Sequence, residues 1–183
     1  MIARGDLERA YALADRSTPR VRMNFVSSAD GAVTLAGRSG TLGGPTDRAL
    51  MEVLRSLADV VLIGAGTVRA EGYAQVRPRL AIVSARLQLS PGDPALAEAA
   101  VRPLIVTSAA SPASRRRELQ TVADVIVCGE ASVDLARMVR ELASRGMPQI
   151  LCEGGPHLFG SLLDAGVVDE LCLTIAPRVT GGV

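Results

Sequence analysis

The feature that most constrains this chain is the regular return of short apolar runs rich in valine and isoleucine. Seven recur: VRMNFV (21–26), DVVLI (59–63), LAIV (80–83), PLIVT (103–107), DVIVCG (124–129), QILCEGG (149–155) and DELCLTIAP (169–177). Runs of this length and β-branched content read as strands buried on both faces. Helical spacing appears between several of them. In TDRALMEVLRSLAD (46–59), Leu50, Val53, Leu54 and Leu57 share one face and the charged residues the other. SVDLARMVRELASRG (132–146) aligns Leu135, Met138, Val139 and Leu142, with Ser132 as its expected N-cap and Gly146 as its stop. PHLFGSLLDAG (156–166) reads as a shorter helix, with Pro156 in its first turn and Gly166 at its end. Strand alternating with helix predicts an α/β fold, a mostly parallel central sheet with helices on both faces. The long last run is expected to pair antiparallel at the C-terminal edge. LQLSPGDPALAEAAVRP (87–103) reads as an excursion between strands, so residues 1–183 form a single domain, with about the first 20 residues an N-terminal extension.

Composition excludes several classes of partner. Twenty basic residues against nineteen acidic ones leave a net charge of +1, which supplies no general field for nucleic acid or an anionic membrane. The four aromatic residues, Tyr11, Phe25, Tyr73 and Phe159, make no stacking platform for bases. Cys128, Cys152 and Cys172 are widely spaced within apolar runs, and the single histidine is His157, so no metal-ligand spacing occurs. Buried, reduced thiols are expected, as in a cytoplasmic protein. The start MIARGDLERAYALADR is too polar and acidic for a signal peptide. No run approaches the ~20 apolar residues of a membrane span.

Two of the runs pass directly through glycine into a helix: VVLI into GAGTVRAEG, and QILC into EGGPHLFG. Glycine lets the backbone approach a ligand closely, and the free N–H groups of a helix start attract phosphate. Two such turns at strand ends suit the two phosphates of a dinucleotide; the plain alternative is that each only reverses the chain. The pattern Gly64-x-Gly66-x-x-Arg69 lacks the third glycine of the Rossmann fingerprint. The next run ends in IVSAR, which offers Ser84 and Arg86 where a Rossmann domain offers a ribose-binding carboxylate. A hydroxyl beside a guanidinium suits a 2′-phosphate and favours NADP over NAD, against the alternative of a solvated surface arginine at 86.

With MNFVSSADGAVT, GAGTVRAEGY and CEGGPHLFGSLLDAGVVDEL in this order, residues 20–183 resemble the riboflavin-biosynthesis pyrimidine reductases. That family comprises the reductase part of the bifunctional deaminase-reductase and its stand-alone relatives. The resemblance implies a dihydrofolate-reductase-like fold, a cytoplasmic homodimer and NADPH as cofactor. It further implies reduction of the ribosylamino group of a phosphorylated aminopyrimidine, the uracil or its diaminopyrimidinone analogue, to a ribitylamino group. On the matching positions it assigns the cofactor to Val26, Thr41, Thr67, Glu71 and Ser84; the turn Gly64, Ala65 and Gly66, and Arg86, join them from the reading of the turns above. The second cofactor turn comprises Gly154, Gly155, Pro156, His157, Leu158, Phe159, Gly160 and Ser161. Asn24, Ser39, Arg55, Arg77 and Glu153 fall on substrate positions, with Ser39, Arg55 and Arg77 as a cradle for the substrate phosphate.

Bifunctional relatives often carry lysine where this chain has Asn24; asparagine favours the stand-alone type and leaves the proton donor unassigned. No His-x-Glu with Pro-Cys-x-x-Cys occurs, so zinc deamination is not expected. The sequence ends at PRVTGGV, where family members usually continue through further strands. Two other readings stand beside the reductase: a paralogue reducing another heterocycle such as dihydrofolate, and a non-catalytic NADP-binding module.

Overall fold

A computed structural model describes residues 3–35 and 40–181. All seven apolar runs form strands: β1 (Arg20–Ser28), β2 (Val60–Gly64), β3 (Arg79–Val83), β4 (Leu104–Thr107), β5 (Asp124–Val127), β6 (Gln149–Gly154) and β7 (Glu170–Ala176). They make one sheet in the order β5-β4-β3-β2-β6-β1-β7, and every pairing in it is parallel.

The sheet is covered on both faces, and the strands divide their side chains between two cores. Val60 and Leu62 of β2 enter one core, with Met138, Leu142, Leu158 and Leu162. Val61 and Ile63 enter the other, with Leu54, Val68 and Leu119. The first face is thus covered by α6 (Leu135–Ser144) and α7 (Pro156–Asp164), the second by α2 (Pro45–Leu57), α3 (Ala65–Glu71) and α5 (Ala113–Leu119). Burial on both sides is why β2, β3, β4 and β6 read as unbroken apolar runs.

The expected antiparallel C-terminal edge is overturned. β7 does lie at an edge, but it runs parallel to β1, in register from Arg22 opposite Glu170 to Ser28 opposite Ala176. The physical reason is the connection: α7 carries the chain back along the face of the sheet, so it re-enters at the amino end, as any parallel pair requires. Asp169 fixes that re-entry, its N–H donating to Val21 O (3.0 Å) and its Oδ2 accepting from Val21 N–H (2.7 Å).

Smaller expectations shift as well. The α6 N-cap is Asp134, whose carboxylate accepts from Arg137 N–H, not Ser132. Gly146 and Gly166 follow their helices with φ of 80° and 64°, conformations glycine adopts without a Cβ penalty. The 87–103 excursion does lie between strands, β3 and β4; it contains α4 (Pro94–Ala97) and buries Leu87, Leu89, Ala95 and Leu96 in the core. Within the N-terminal segment, α1 (Arg4–Tyr11) packs on α2. No helix among the described residues is long and apolar enough to cross a membrane.

Candidate active site

The chain leaves β1 for β2, builds outward to β5, and returns to insert β6 between β2 and β1. In open α/β sheets, ligands bind outside the carboxyl ends of the strands where the order switches. At that place lies a cleft of ≈ 850 Å³, within the range of about 300–1,000 Å³ usual for small-molecule sites. Its walls come from the end of β1 (Asn24, Phe25, Val26), from α2, and from the two glycine turns that follow β2 and β6.

The two turns touch. A Cβ on Gly64 would lie 3.8 Å from Gly155 N and 3.9 Å from Gly154 O, and a Cβ on Gly155 would lie 3.0 Å from Thr67 Oγ1. Any larger residue at 155 would press on the threonine hydroxyl. Gly154 has a φ of 113°, a backbone region that side chains rarely adopt. Above this floor opens α7, with Gly155 as N-cap and Pro156 in its first turn. The His157 and Leu158 N–H groups, in that first turn, have no intrahelical acceptor. Asn24 Oδ1 is buried at the cleft with no hydrogen-bond partner among the described residues.

The opposite wall is held by an ion pair. Arg55, on α2, grips Glu153 in a bidentate fork, Nε to Oε1 and Nη2 to Oε2, both at 2.7 Å. The Glu153 side chain is only 4% exposed, so its charge is met almost wholly by protein groups. Tyr73 completes the group: its hydroxyl donates to Glu153 Oε2 at 3.0 Å, and its ring lies 6.0 Å from the Arg55 guanidinium carbon. Burial first, and then the Glu153 charge, raise the Tyr73 phenol above its ordinary value, so it remains a donor.

The structure distributes the sequence-derived residues unevenly. Asn24, Arg55 and Glu153 line the cleft, as do Val26, Gly64, Gly66, Thr67, Glu71, Gly155, Pro156, His157 and Leu158. Ala65 is buried beneath the first turn. Gly154 backs the second, where a Cβ would meet the Phe25 ring at 3.5 Å. Phe159 packs on Phe25, with ring centroids 4.9 Å apart, while Gly160 and Ser161 lie farther along α7, outside the lining. Ser84, at the end of β3, is buried, with its N–H given to Val106 O, and Arg86 is exposed beyond it; neither lines the cleft. Thr41 is exposed, and its carbonyl accepts from Arg178. Arg77 lines a separate shallow groove on the far side of Arg55, with Arg4 and Pro78. Ser39 lies outside the described residues.

Of the expected phosphate cradle, only Arg55 among the described residues lines the cleft, and its Nε/Nη2 edge is taken by Glu153. Sequence reasoning missed Arg48, an exposed cleft cation with no ion pair to any described residue. It also missed Asp47, Met51 and Tyr73. A signal for α2 was present: Asp47, Met51 and Arg55 repeat at i, i+4, i+8 and so share a helix face. The cysteines are all buried, and burial pushes the Cys152 thiol up to about 12, which makes it inert.

Comparison with known proteins agrees with this geometry. The RibD C-terminal domain family model matches residues 19–183. A 2,5-diamino-6-ribosylamino-4(3H)-pyrimidinone 5′-phosphate reductase of Methanothermobacter thermautotrophicus is 30% identical over 180 residues, covering 90% of this chain and 80% of the relative. Its counterpart in Archaeoglobus fulgidus is 27% identical, covering 90% and 83%. A pyrimidine reductase-like protein from Corynebacterium diphtheriae superimposes with a TM-score of 0.83 at 29% identity, over 97% of this chain and 84% of that one. A riboflavin biosynthesis reductase of Saccharomyces cerevisiae shares the fold, with a TM-score of 0.73 at 21% identity, over 96% and 80%. Sequence blocks, fold and cleft lead to one assignment: the chain belongs to the RibD C-terminal domain family, the pyrimidine reductases of riboflavin biosynthesis that its motifs resemble.

Proposed function

We propose that this protein is an NADPH-dependent reductase that converts the ribosylamino group of a phosphorylated aminopyrimidine, the diaminopyrimidinone or its uracil counterpart, into a ribitylamino group. The observation that carries the reading is one cleft with two different walls. One is backbone and glycine; the other is the carboxylate of Glu153, clamped by Arg55. The first wall fits a dinucleotide. Gly64 and Gly155 leave room for close approach, the first turn of α7 supplies free N–H groups, and Asn24 Oδ1 is a buried acceptor in want of a donor. When bound, NADPH supplies a hydride for the C1′ carbon of the C=N bond that the ring-opened sugar presents.

The residues of the chain do the rest. Thr67 offers a hydroxyl beside Gly155, and the His157 and Leu158 N–H groups face the phosphates. Asn24 accepts from an amide donor, and Glu153 from a hydroxyl of the sugar chain. Arg48, free of any ion pair among the described residues, is the cation for the substrate phosphate. Phe25, Val26, Met51 and Leu158 supply apolar lining that keeps water from the reacting carbon. Leu171, Leu173 and Ile175 stand exposed along the edge strand β7 and support the homodimer that the family resemblance implies.

Titration of the protein with NADPH and, separately, NADH tests the cofactor. NADPH is expected to bind at least ~10-fold more tightly if the exposed Arg86, beyond the cleft, reaches the 2′-phosphate as the one charge-assisted contact. Absorbance assays with the two pyrimidine phosphates then test the reaction, with dihydrofolate as comparison. Binding of neither nucleotide, or turnover of dihydrofolate alone, refutes the proposal.

A further inference from the structure

Tyr73 closes the GAGTVRAEGY block but was given no role there, and the structure places it against both members of the Arg55–Glu153 pair. The chain takes an uncommon path to put it there. α3 ends at Glu71, Gly72 follows with a φ of 87°, and Tyr73 itself has a φ of 46°. A large side chain rarely adopts that left-handed conformation, which persists only where the surroundings over-determine it. Here they do: the ring is half-buried in the cleft wall and the hydroxyl is 3.0 Å from Glu153 Oε2.

Counting acceptor positions shows what this accomplishes. An ionised carboxylate has about four lone-pair sites. Arg55 occupies two of them, and Tyr73 a third. The carboxylate is thus fixed by donors on α2 and on the segment after α3, and among the described residues one acceptor position is left over in a side chain that lines the cleft. Without the tyrosine hydroxyl, two positions would be open.

We propose that Tyr73 is a positioning residue: with Arg55 it locks the Glu153 carboxylate so that a single acceptor position faces the cleft for one hydroxyl of the substrate's sugar chain. The proposal rests on the reductase function given above. Tyr73 does not itself handle the hydride or a proton; it acts through Glu153.

The test is steady-state kinetics with the diaminopyrimidinone ribosylamino phosphate, or its uracil counterpart, at saturating NADPH. It uses the unaltered protein, Tyr73→Phe, Glu153→Gln and the double variant. Tyr73→Phe is expected to raise KM about 10-fold, the effect of losing one hydrogen bond to a charged group. The kcat stays within about 3-fold, as for an interaction that holds ground and transition state alike. NADPH affinity, read by direct titration, stays within about 2-fold, since the two cofactor turns are untouched. In the Glu153→Gln background the same substitution adds less than about 2-fold, because its target is already changed. An unchanged KM in Tyr73→Phe overturns the proposal. So does an equal effect with and without Glu153, which would mean that the tyrosine merely fills space. This cycle remains decisive even if Tyr73→Phe loosens the fold, because general loosening acts equally in both backgrounds. Absence of turnover by the unaltered protein overturns the reductase reading and this proposal together; turnover with additive effects overturns this proposal alone.

Discussion

Two arginine–glutamate pairs, each with a tyrosine beside it, stand near opposite ends of the same sheet, and their difference separates architecture from site. Arg22 on β1 holds Glu170 on β7 at 2.8 Å, gives a second hydrogen bond to Tyr11 O, and lies 5.4 Å from the Tyr11 ring centroid. Arg55 holds Glu153 at 2.7 Å and lies 6.0 Å from the Tyr73 ring. Burial is reversed between them. In the first pair the arginine is 8% exposed and the acid 29%; in the second the arginine is 25% exposed and the acid 4%. The space beside them differs more: the groove at Arg22 holds ≈ 10 Å³, barely room for one water, against ≈ 850 Å³ at Glu153. Arg22 spends its donors joining α1 to the sheet. Glu153 keeps an acceptor in a cleft large enough for a ligand. A buried ion pair is thus not in itself a sign of function; what sets the second pair apart is the cleft beside it.

Substitutions that remove each arginine should pull the two pairs apart. Arg55→Ala is expected to have the largest effect, lowering kcat/KM for the pyrimidine phosphate by about 100-fold or more through loss of two charge-assisted bonds to Glu153. It also strands a buried carboxylate. The cost is about 3 kcal/mol, at the low end of the range for such breaks because Arg55 is partly exposed. In a chain of this size, that shifts the thermal midpoint down by about 6–12 °C. Arg22→Ala should cost less, about 1–2 kcal/mol, since Glu170 keeps contact with water. The midpoint then falls by about 2–8 °C while KM and NADPH affinity are unmoved. Calorimetry with parallel kinetics decides: if Arg22→Ala alters KM, or Arg55→Ala leaves it alone, the contrast between structural and functional pair is broken.

The same contrast shows what could be read from the chain. All seven strands were legible: in β2, β3, β4 and β6 burial on both faces leaves an unbroken apolar run, and β1, β5 and β7 keep enough apolar residues to read the same way. The glycine turns were legible too, since each follows its own strand directly. The direction of β7 was not: only Cys172 and Ala176 are buried in it, so the sequence carries a one-sided edge pattern, and α7, not the strand, decides direction. α5 escaped because ASRRREL buries Leu119 alone and shows no apolar stripe. The Arg55–Glu153–Tyr73 group escaped for another reason. Its members are 98 and 80 residues apart, and only the switch in strand order brings α2, the segment after α3, and β6 to one place. The sequence put Glu153 and Arg55 on separate substrate positions; only the fold shows them paired.

Thr67→Val probes the glycine wall and should give the smallest effect. Valine keeps the shape of threonine and removes only the hydroxyl, whose oxygen lies 3.0 Å from the space a Cβ on Gly155 would take. One hydrogen bond between uncharged groups contributes about 0.5–1.5 kcal/mol net, so NADPH should bind about 2–10-fold more weakly. The thermal midpoint should stay within about 2 °C, as for a partly exposed site away from the core. At saturating NADPH, KM for the pyrimidine phosphate should not change, because Thr67 belongs to the wall opposite Glu153. Fluorescence titration gives the first quantity and steady-state kinetics the last. Unchanged NADPH affinity in a folded Thr67→Val protein removes the hydroxyl from the cofactor wall. A raised pyrimidine KM at saturating NADPH means that the two walls share one ligand, and the division between backbone wall and carboxylate wall fails.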